Sequence, residues 1–180
     1  MTEILVFCET NEDQLDSTAG ELLAAGQKLS SELSLPVSAV IFNPNPNMVL
    51  QAGSLGADKI YKVTDPKFQQ KTDEVYTHGL FEACKQINPT VILAAKTTLG
   101  RNVAARTAYR LKSTVAQDCM DISGDKNSGL ISVKRPVYGG NAQAVFTFTN
   151  PLNQVVILRV KTFEPLPLDK SKTAEEIDLV

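Results

Sequence analysis

Short, almost wholly apolar runs recur along the first two thirds of this 180-residue sequence and constrain its fold more than any other feature. Residues 3–8, 37–42 and 90–95 have strand-like lengths and are rich in β-branched and large aliphatic side chains. Residues 60–63 and 114–117 fit two further, shorter strands. Runs that are apolar at successive positions are buried on both faces, which is typical of a parallel sheet.

Helical periodicity fills the stretches between these runs. After the first strand, apolar and small residues recur at helical spacing before Pro36, at Leu22, Gly26, Leu29 and Leu33. Thr18 and Glu21 have the spacing of a capping box at the start of that helix. Further helices are expected at residues 48–55 and 73–88, and a fourth near position 100. The alternation predicts a three-layer α/β fold with a mostly parallel sheet.

The pattern changes after residue 118, where helical spacing disappears. Turn-forming Gly, Asn and Pro residues separate strand-like segments near residues 130–138, 142–149 and 155–162. These intervals suit hairpins, so we predict a small antiparallel β appendage to the main sheet. Residues 167–180 are Pro-containing and then charged, and we expect a linker or flexible tail there.

Length and charge exclude several classes of protein. A chain of 180 residues suits one domain, which we expect at residues 1–166. With 18 basic and 20 acidic residues the net charge is -2, so neither nucleic acid nor membrane is an expected partner. Three cysteines lie at no metal-binding spacing, and residues 1–7 lack the features of a signal peptide. We therefore expect a cytoplasmic protein with free thiols.

The segment of residues 96–102 joins the most convincing core strand to the fourth helix. Ligands of open α/β sheets bind beyond the carboxyl ends of the strands, and free N–H groups at a helix N-terminus attract phosphate. The candidate nucleotide-phosphate contacts are Thr97, Thr98, Gly100, Arg101 and Asn102. The alternative is an ordinary strand-to-helix connection, which also needs small and polar residues. No GxGxxG or Walker lysine pattern accompanies the segment.

Three other groups could carry chemistry, and each has a simpler explanation. Arg106 and Arg110 share a helix face that could meet an acidic surface or simply face solvent. His78 is the sole histidine, but no nucleophile motif lies near it, so we expect a surface residue. Asp118 and Asp121 could serve acid–base chemistry, bind a metal, or merely end a strand. None of these patterns predicts a self-sufficient catalytic or metal site.

Residues 135–142, Arg-Pro-Val-Tyr-Gly-Gly-Asn-Ala, combine a turn that needs positive φ with an aromatic side chain and a fixed cation. Alone, this segment predicts a hairpin. With Thr-Leu-Gly-Arg at residues 98–101 and Asp-Cys-Met-Asp-Ile at residues 118–122, in this order, it resembles the N-terminal domain of the electron transfer flavoprotein alpha subunit. The resemblance covers nearly the whole chain, and residues 135–142 are its most specific part.

This resemblance implies an adenine nucleotide alpha hydrolase-like sheet with a small antiparallel sheet. It also implies a heterodimer with a beta subunit, in which FAD relays electrons from dehydrogenases to a membrane-bound oxidoreductase. The chain would then be an electron-transfer component rather than a catalyst.

A complete alpha subunit continues into a flavin-binding domain marked by QTG and GISG segments, and neither occurs here. We therefore expect FAD in the assembled complex but not on this chain alone, with the flavin domain in a separate chain as one arrangement. An excised domain, a split subunit and a relative without flavin function remain open. The rival hypothesis is a stand-alone adenine nucleotide or flavin-binding module that holds AMP at residues 97–102. An exposed apolar face could also produce a homodimer.

Overall fold

A computed structural model describes residues 2–179. In chain order its elements are β1 Ile4–Phe7, β2 Thr10–Asn11, β3 Gln14–Leu15, α1 Ser17–Leu33, β4 Val37–Phe42, α2 Pro46–Ser54, β5 Lys59–Val63, α3 Asp73–Ile87, β6 Val91–Ala95, α4 Thr98–Arg110, β7 Val115–Cys119, β8 Asp121–Asp125, β9 Leu130–Val137, β10 Ala142–Thr147, β11 Gln154–Leu158 and β12 Glu175–Leu179. Short 3-10 turns occupy Pro66–Gln70 and Tyr138–Gly140.

The main sheet has seven strands in the order β12-β5-β4-β1-β6-β11-β7, and every neighbouring pair is parallel. Strands β1, β4, β6 and β11 are buried at every position, as expected for a sheet covered on both faces. The predicted three-layer α/β fold is confirmed. The chain leaves β1 toward β4 on one side and returns to β6 on the other, so the strand order reverses between β1 and β6.

Two separate apolar cores hold the layers together. Ile4 and Val6 point to one face of the sheet, where they belong to the same cluster as Leu22 of α1. Leu5 and Phe7 point to the other face, in a cluster with residues of α3 and α4. Successive strand residues thus serve opposite cores, which is why an uninterrupted apolar run is needed.

Polar side chains determine where two of the helices begin. Asp16 is the N-cap of α1, and its carboxylate accepts hydrogen bonds from the backbone N–H and the hydroxyl of Thr18. The expected capping box with Thr18 as the cap is therefore wrong, because Thr18 already lies inside the helix. Thr97 caps α4, so that helix begins at Thr98, two residues before the expected start.

The small antiparallel sheet has the order β10-β9-β8. Strand β8 was not expected as a strand, because residues 121–125 are largely polar. The segment near residues 155–162 was expected in this appendage, but β11 lies in the main sheet between β6 and β7. Its five positions are all buried, as they are in the neighbouring strand β6, and this burial is typical of a parallel sheet covered on both faces.

The expected linker or tail at residues 167–180 is corrected in part. Residues Glu175–Leu179 form β12, which pairs in parallel with β5 at the edge of the main sheet. Lys62 of β5 holds this strand through ion pairs to Glu176 at 3.1 Å and Asp178 at 3.3 Å. Charged residues on an edge strand are compatible with pairing because one side remains in water. A domain boundary at residue 166 stays a prediction.

Candidate functional site

Four strands deliver polar residues to one edge of the main sheet. Glu9 lies two residues after β1, Lys96 and Thr97 follow β6, Arg159 follows β11, and Asp118 lies near the end of β7. Because β1, β6, β11 and β7 are successive neighbours in a parallel sheet, their carboxyl ends meet at the same edge. In open α/β folds this edge is the usual place for a ligand.

Glu9 lies against the N-terminus of α4. Its Oε1 accepts a hydrogen bond of 2.5 Å from the Thr97 hydroxyl, which in turn accepts one of 2.8 Å from the Gly100 N–H. Burial raises the pKa of Glu9 above the ordinary glutamate range, and hydrogen bonds from Thr97 and the Gly100 backbone offset part of that rise. A carboxylate of the chain itself therefore lies where an external anion would approach the helix.

The space around Gly100 is filled. A Cβ atom placed there would lie 2.4 Å from the Ala95 carbonyl oxygen and 2.6 Å from Oε1 of Glu9. Both distances are far below ordinary van der Waals contact, so this position accepts glycine only. The close approach leaves no cradle for a phosphate between Glu9 and the first turn of α4.

The five predicted phosphate contacts do not form one group. Thr97 and Gly100 belong to the Glu9 network, whereas Asn102 donates a hydrogen bond of 2.7 Å to Asp73 of α3. Thr98 and Arg101 are exposed. Phosphate binding by these residues stays a prediction. The Glu9 carboxylate supplies a physical argument against it, because two negative charges at one helix end repel each other.

A second cluster, formed by Lys96, Asp118 and Arg159, was missed at the sequence level. Arg159 holds both oxygens of Asp118 through hydrogen bonds of 2.8 Å from Nε and Nη2, and Lys96 Nζ lies 2.7 Å from Oδ1. The hydrogen bonds from Arg159 hold the pKa of Asp118 far below its ordinary range, with Lys96 acting in the same direction. A carboxylate fixed in the ionised form is unsuited to carry a proton at neutral pH.

Asp121, the expected partner of Asp118 in an acidic pair, has different contacts. It pairs with Lys28 at 2.7 Å and with Lys134 at 3.0 Å. Burial opposes ionisation, but the hydrogen bonds from Lys28 and Lys134 prevail and lower the pKa of Asp121 to about 2. Each aspartate is thus neutralised by its own cations, and this arrangement gives no support to shared acid–base chemistry.

The remaining candidates lie on the surface. His78 is exposed on α3, and Arg106 and Arg110 are exposed on α4. Across residues 2–179, no group of three or more His, Cys, Asp or Glu side chains could hold a metal ion. Burial raises the pKa of Cys8 and of Cys84 to about 12, so neither is a ready nucleophile.

Residues 135–142 form the expected hairpin turn between β9 and β10. Gly139 and Gly140 have φ values of 64° and 95°, which the turn requires and which glycine adopts without strain. Tyr138 is 82% exposed. The Arg135 guanidinium lies 5.8 Å from the centroid of the Phe146 ring, and its Nε is buried with no hydrogen-bond acceptor among residues 2–179.

Within the same described range, no helix combines the length and the hydropathy that crossing a bilayer requires.

Comparisons with known proteins agree with this architecture. A family model for the electron transfer flavoprotein domain matches residues 4–179. The electron transfer flavoprotein subunit alpha of Thermoanaerobacterium thermosaccharolyticum is 33% identical over 158 residues, which cover 87% of this chain and 48% of that protein. Protein FixB of Azorhizobium caulinodans is 29% identical over 173 residues, which cover 94% of this chain and 46% of that protein.

A third relative is named as a subunit of an enzyme. The lactate dehydrogenase (NAD(+),ferredoxin) subunit LctC of Acetobacterium woodii is 25% identical over an alignment of 193 positions, gaps included. The alignment covers 98% of this chain and 46% of that protein. The chain thus spans about half the length of these curated relatives. The match to the family model extends through β12, in the segment expected to be a tail. The chain therefore belongs to the electron transfer flavoprotein domain family.

Proposed function

We propose that this chain is an alpha-type scaffold domain that docks against a beta-type electron transfer flavoprotein subunit and supports FAD-mediated electron transfer without holding FAD by itself. The observation that carries the proposal is the family match over residues 4–179 together with relatives named as alpha subunits. The chain is then an electron-transfer component, and any catalysis belongs to its assembly, as the name of the LctC relative illustrates for that protein.

Exposed apolar side chains on the small sheet support a docking role. Tyr138 is 82% exposed, Val145 62% and Phe146 47%, and all three lie on the hairpin formed by β9, its turn and β10. Exposed apolar and aromatic residues are typical of protein interfaces, and here they lie on both faces of the hairpin, because Val145 and Phe146 are successive strand residues. The hairpin includes the sequence segment that is most specific to the family resemblance.

In this proposal the flavin is bound by another part of the assembled complex and not by this chain. The residues at the α4 N-terminus do not fit a phosphate, because the Glu9 carboxylate lies 2.6 Å from the position of a Cβ at Gly100. FAD carries a pyrophosphate that needs N–H donors and positive charge, and at this helix end the Gly100 N–H already donates to Thr97. We therefore propose that this chain contributes protein contacts, and that the flavin lies in another domain or chain.

The rival proposal is a stand-alone module that binds AMP or flavin at Thr97, Thr98, Gly100, Arg101 and Asn102. Its support is the position of α4 at the point where the strand order reverses. An Arg101→Ala substitution that leaves the affinity for AMP unaltered would contradict this rival proposal. We rank this rival proposal second because the Glu9 carboxylate would repel a phosphate at the N-terminus of α4. A cytoplasmic location and a homodimer likewise stay predictions.

The test is complex formation with the beta-type subunit encoded in the same genome. Light scattering coupled to gel filtration of an equimolar mixture is expected to show a 1:1 complex. Two separate peaks at micromolar concentrations of both proteins would contradict the proposal. The chain alone in the same run shows whether it is a monomer or a homodimer.

A further inference from the structure

Arg135 is a cation without a matching anion in the described chain. No carboxylate among residues 2–179 forms an ion pair with its guanidinium, whereas Arg159 has Asp118 and Lys134 has Asp121. Its Nε is buried and has no acceptor, and its guanidinium lies 5.8 Å from the centroid of the Phe146 ring. Its charge also acts on the Cys119 thiol: burial raises the pKa of Cys119 to about 11, and Arg135 offsets part of that rise. A buried donor without a partner costs free energy, so this arrangement favours the arrival of an acceptor.

The guanidinium borders a groove of about 340 Å³. Val115 of β7 and Phe146 and Phe148 of the small sheet region form apolar walls, while Thr114 and Thr147 add hydroxyl groups. The groove combines an apolar lining with one fixed charge, which suits a side chain or segment of a protein. None of its lining residues belongs to a helix, so the groove lacks the helix N-terminus that nucleotide phosphates use.

Three strands contribute residues to this groove, and two of them, β7 and β10, lie at the edge of a sheet. In the part of the chain that the structure describes, β7 pairs with β11 alone and β10 pairs with β9 alone. Each therefore has an outer edge with unpaired N–H and C=O groups. Such edges bind extended segments of other proteins by adding a strand, with main-chain hydrogen bonds for affinity and pockets for specificity.

We propose that the groove lined by Val115, Arg135, Phe146 and Phe148, called the Arg135 groove, receives an extended segment of the beta-type partner and that an acidic side chain of this segment pairs with Arg135. This proposal rests on the proposed function and deepens it. Charge complementarity selects the carboxylate, because a half-buried guanidinium forms its strongest contacts with a bidentate anion. The apolar walls and the free strand edges favour an extended protein segment, rather than a nucleotide, as the occupant of the groove.

The matched pair of variants is Arg135→Gln and Lys67→Gln. Each removes one positive charge, but Lys67 is exposed in the 3-10 turn Pro66–Gln70 and does not line the groove. Isothermal titration of the purified beta-type subunit into each full chain is expected to give a Kd at least tenfold weaker for Arg135→Gln and within about threefold of wild type for Lys67→Gln.

Thermal unfolding separates docking from a structural role. Arg135 has no anion to lose in the isolated chain, so Arg135→Gln is expected to unfold at the wild-type temperature or slightly above it. A lower unfolding temperature together with unchanged partner affinity would assign Arg135 a structural role and overturn the proposal.

The remaining outcomes are also decisive. No binding by the wild-type chain overturns the proposed function and this inference with it, whereas equal binding by wild type and Arg135→Gln overturns the inference alone. FAD and AMP are titrated into the same variants. If the affinity for either depends on Arg135 while partner binding does not, the groove is a nucleotide site and the proposal fails.

Discussion

The Thr97 hydroxyl and the Glu9 carboxylate, 88 positions apart in the chain, are joined by a hydrogen bond of 2.5 Å at the point where the strand order reverses. The bond links the loop after β1 to the cap of α4. It places the chain's own negative charge at the edge of the sheet where open α/β folds in general bind ligands.

A Glu9→Gln substitution tests whether the negative charge of Glu9 lowers the stability of the folded chain. Because burial raises the pKa of Glu9, folding favours its protonated form. The contribution of Glu9 to stability is therefore present below the ordinary pKa of 4.5 and is lost as pH rises through the raised pKa. Glutamine keeps an acceptor for Thr97 without the charge. The variant is expected to unfold at a higher temperature than wild type at pH 7, with the gap closing below pH 4.5.

Differential scanning calorimetry between pH 4 and pH 8 measures this gap. Glu164→Gln, at an exposed position, is the control and should leave the unfolding temperature unchanged. A less stable Glu9→Gln variant at pH 7 would mean that attraction to the helix end outweighs the cost of burial.

A Gly100→Ala substitution tests the close packing at the same place. The added methyl group would lie 2.4 Å from the Ala95 carbonyl oxygen, a backbone atom that cannot move aside cheaply. We expect a loss of roughly 1–3 kcal/mol in the free energy of unfolding, as for other overpacked sites. Gly53→Ala in α2 is the matched control, since its nearest contacts are at 3.5 Å. Urea unfolding that shows equal stability for both variants would contradict the packing argument.

The central strands could be predicted from local sequence because their environment is uniform. Residues Val37–Phe42 were expected at the observed bounds, since six successive apolar or small residues before a Pro- and Asn-rich turn fit one element type. Strand β11 was assigned to the wrong sheet because the turn before it resembles a hairpin. The unbroken run Val155–Val156–Ile157–Leu158 was the signal for a buried parallel strand.

The sequence predicted the candidate site only where its residues are close together in the chain. The connection that contains Thr97 and Gly100 was identified, but Glu9 was not, because an acidic residue in a polar loop has no distinguishing pattern. Arg159 was missed because it lies inside a segment predicted as a strand, and its partner Asp118 is 41 positions away. Only the strand order brings these side chains together, and strand order is a long-range property that local periodicity does not contain.

An Asp118→Asn substitution tests the cluster with Lys96 and Arg159. Asn tolerates the positive φ of 63° at this position, so the change removes the charge and leaves the backbone conformation accessible. We expect the unfolding temperature to fall by a few degrees at pH 7. The pKa of Asp118 is lowered, so its contribution is present above the ordinary value of 3.8 and is lost as pH falls through the lowered pKa.

The difference between wild type and Asp118→Asn should therefore persist at pH 5 and narrow below pH 3.8. Thermal unfolding followed by circular dichroism at each pH measures it. Asp13→Asn, at an exposed position in the turn between β2 and β3, serves as the control. A difference that is the same at every pH would show that ionisation of Asp118 is not what stabilises the cluster.

A Gln154→Leu substitution tests the link between the two sheets. The buried Gln154 side chain accepts a hydrogen bond of 2.8 Å from the Ile131 N–H and donates one of 2.9 Å to the Gly129 carbonyl. Leucine fills similar space but leaves both backbone groups without this partner, at a cost of about 1–3 kcal/mol. Amide hydrogen exchange should speed up at Ile131, while the exposed Gln143→Leu control should not alter it. Unchanged protection at Ile131 would contradict this role.

The claim that this chain is a scaffold rather than a flavin carrier is tested most directly by a visible absorption spectrum. The purified chain is incubated with excess FAD, passed through a desalting column and then denatured, so that any retained flavin is released and identified by mass spectrometry. The account predicts a colourless protein that retains no flavin. Stoichiometric FAD on the isolated chain would contradict it and would mean that this chain forms a flavin site of its own.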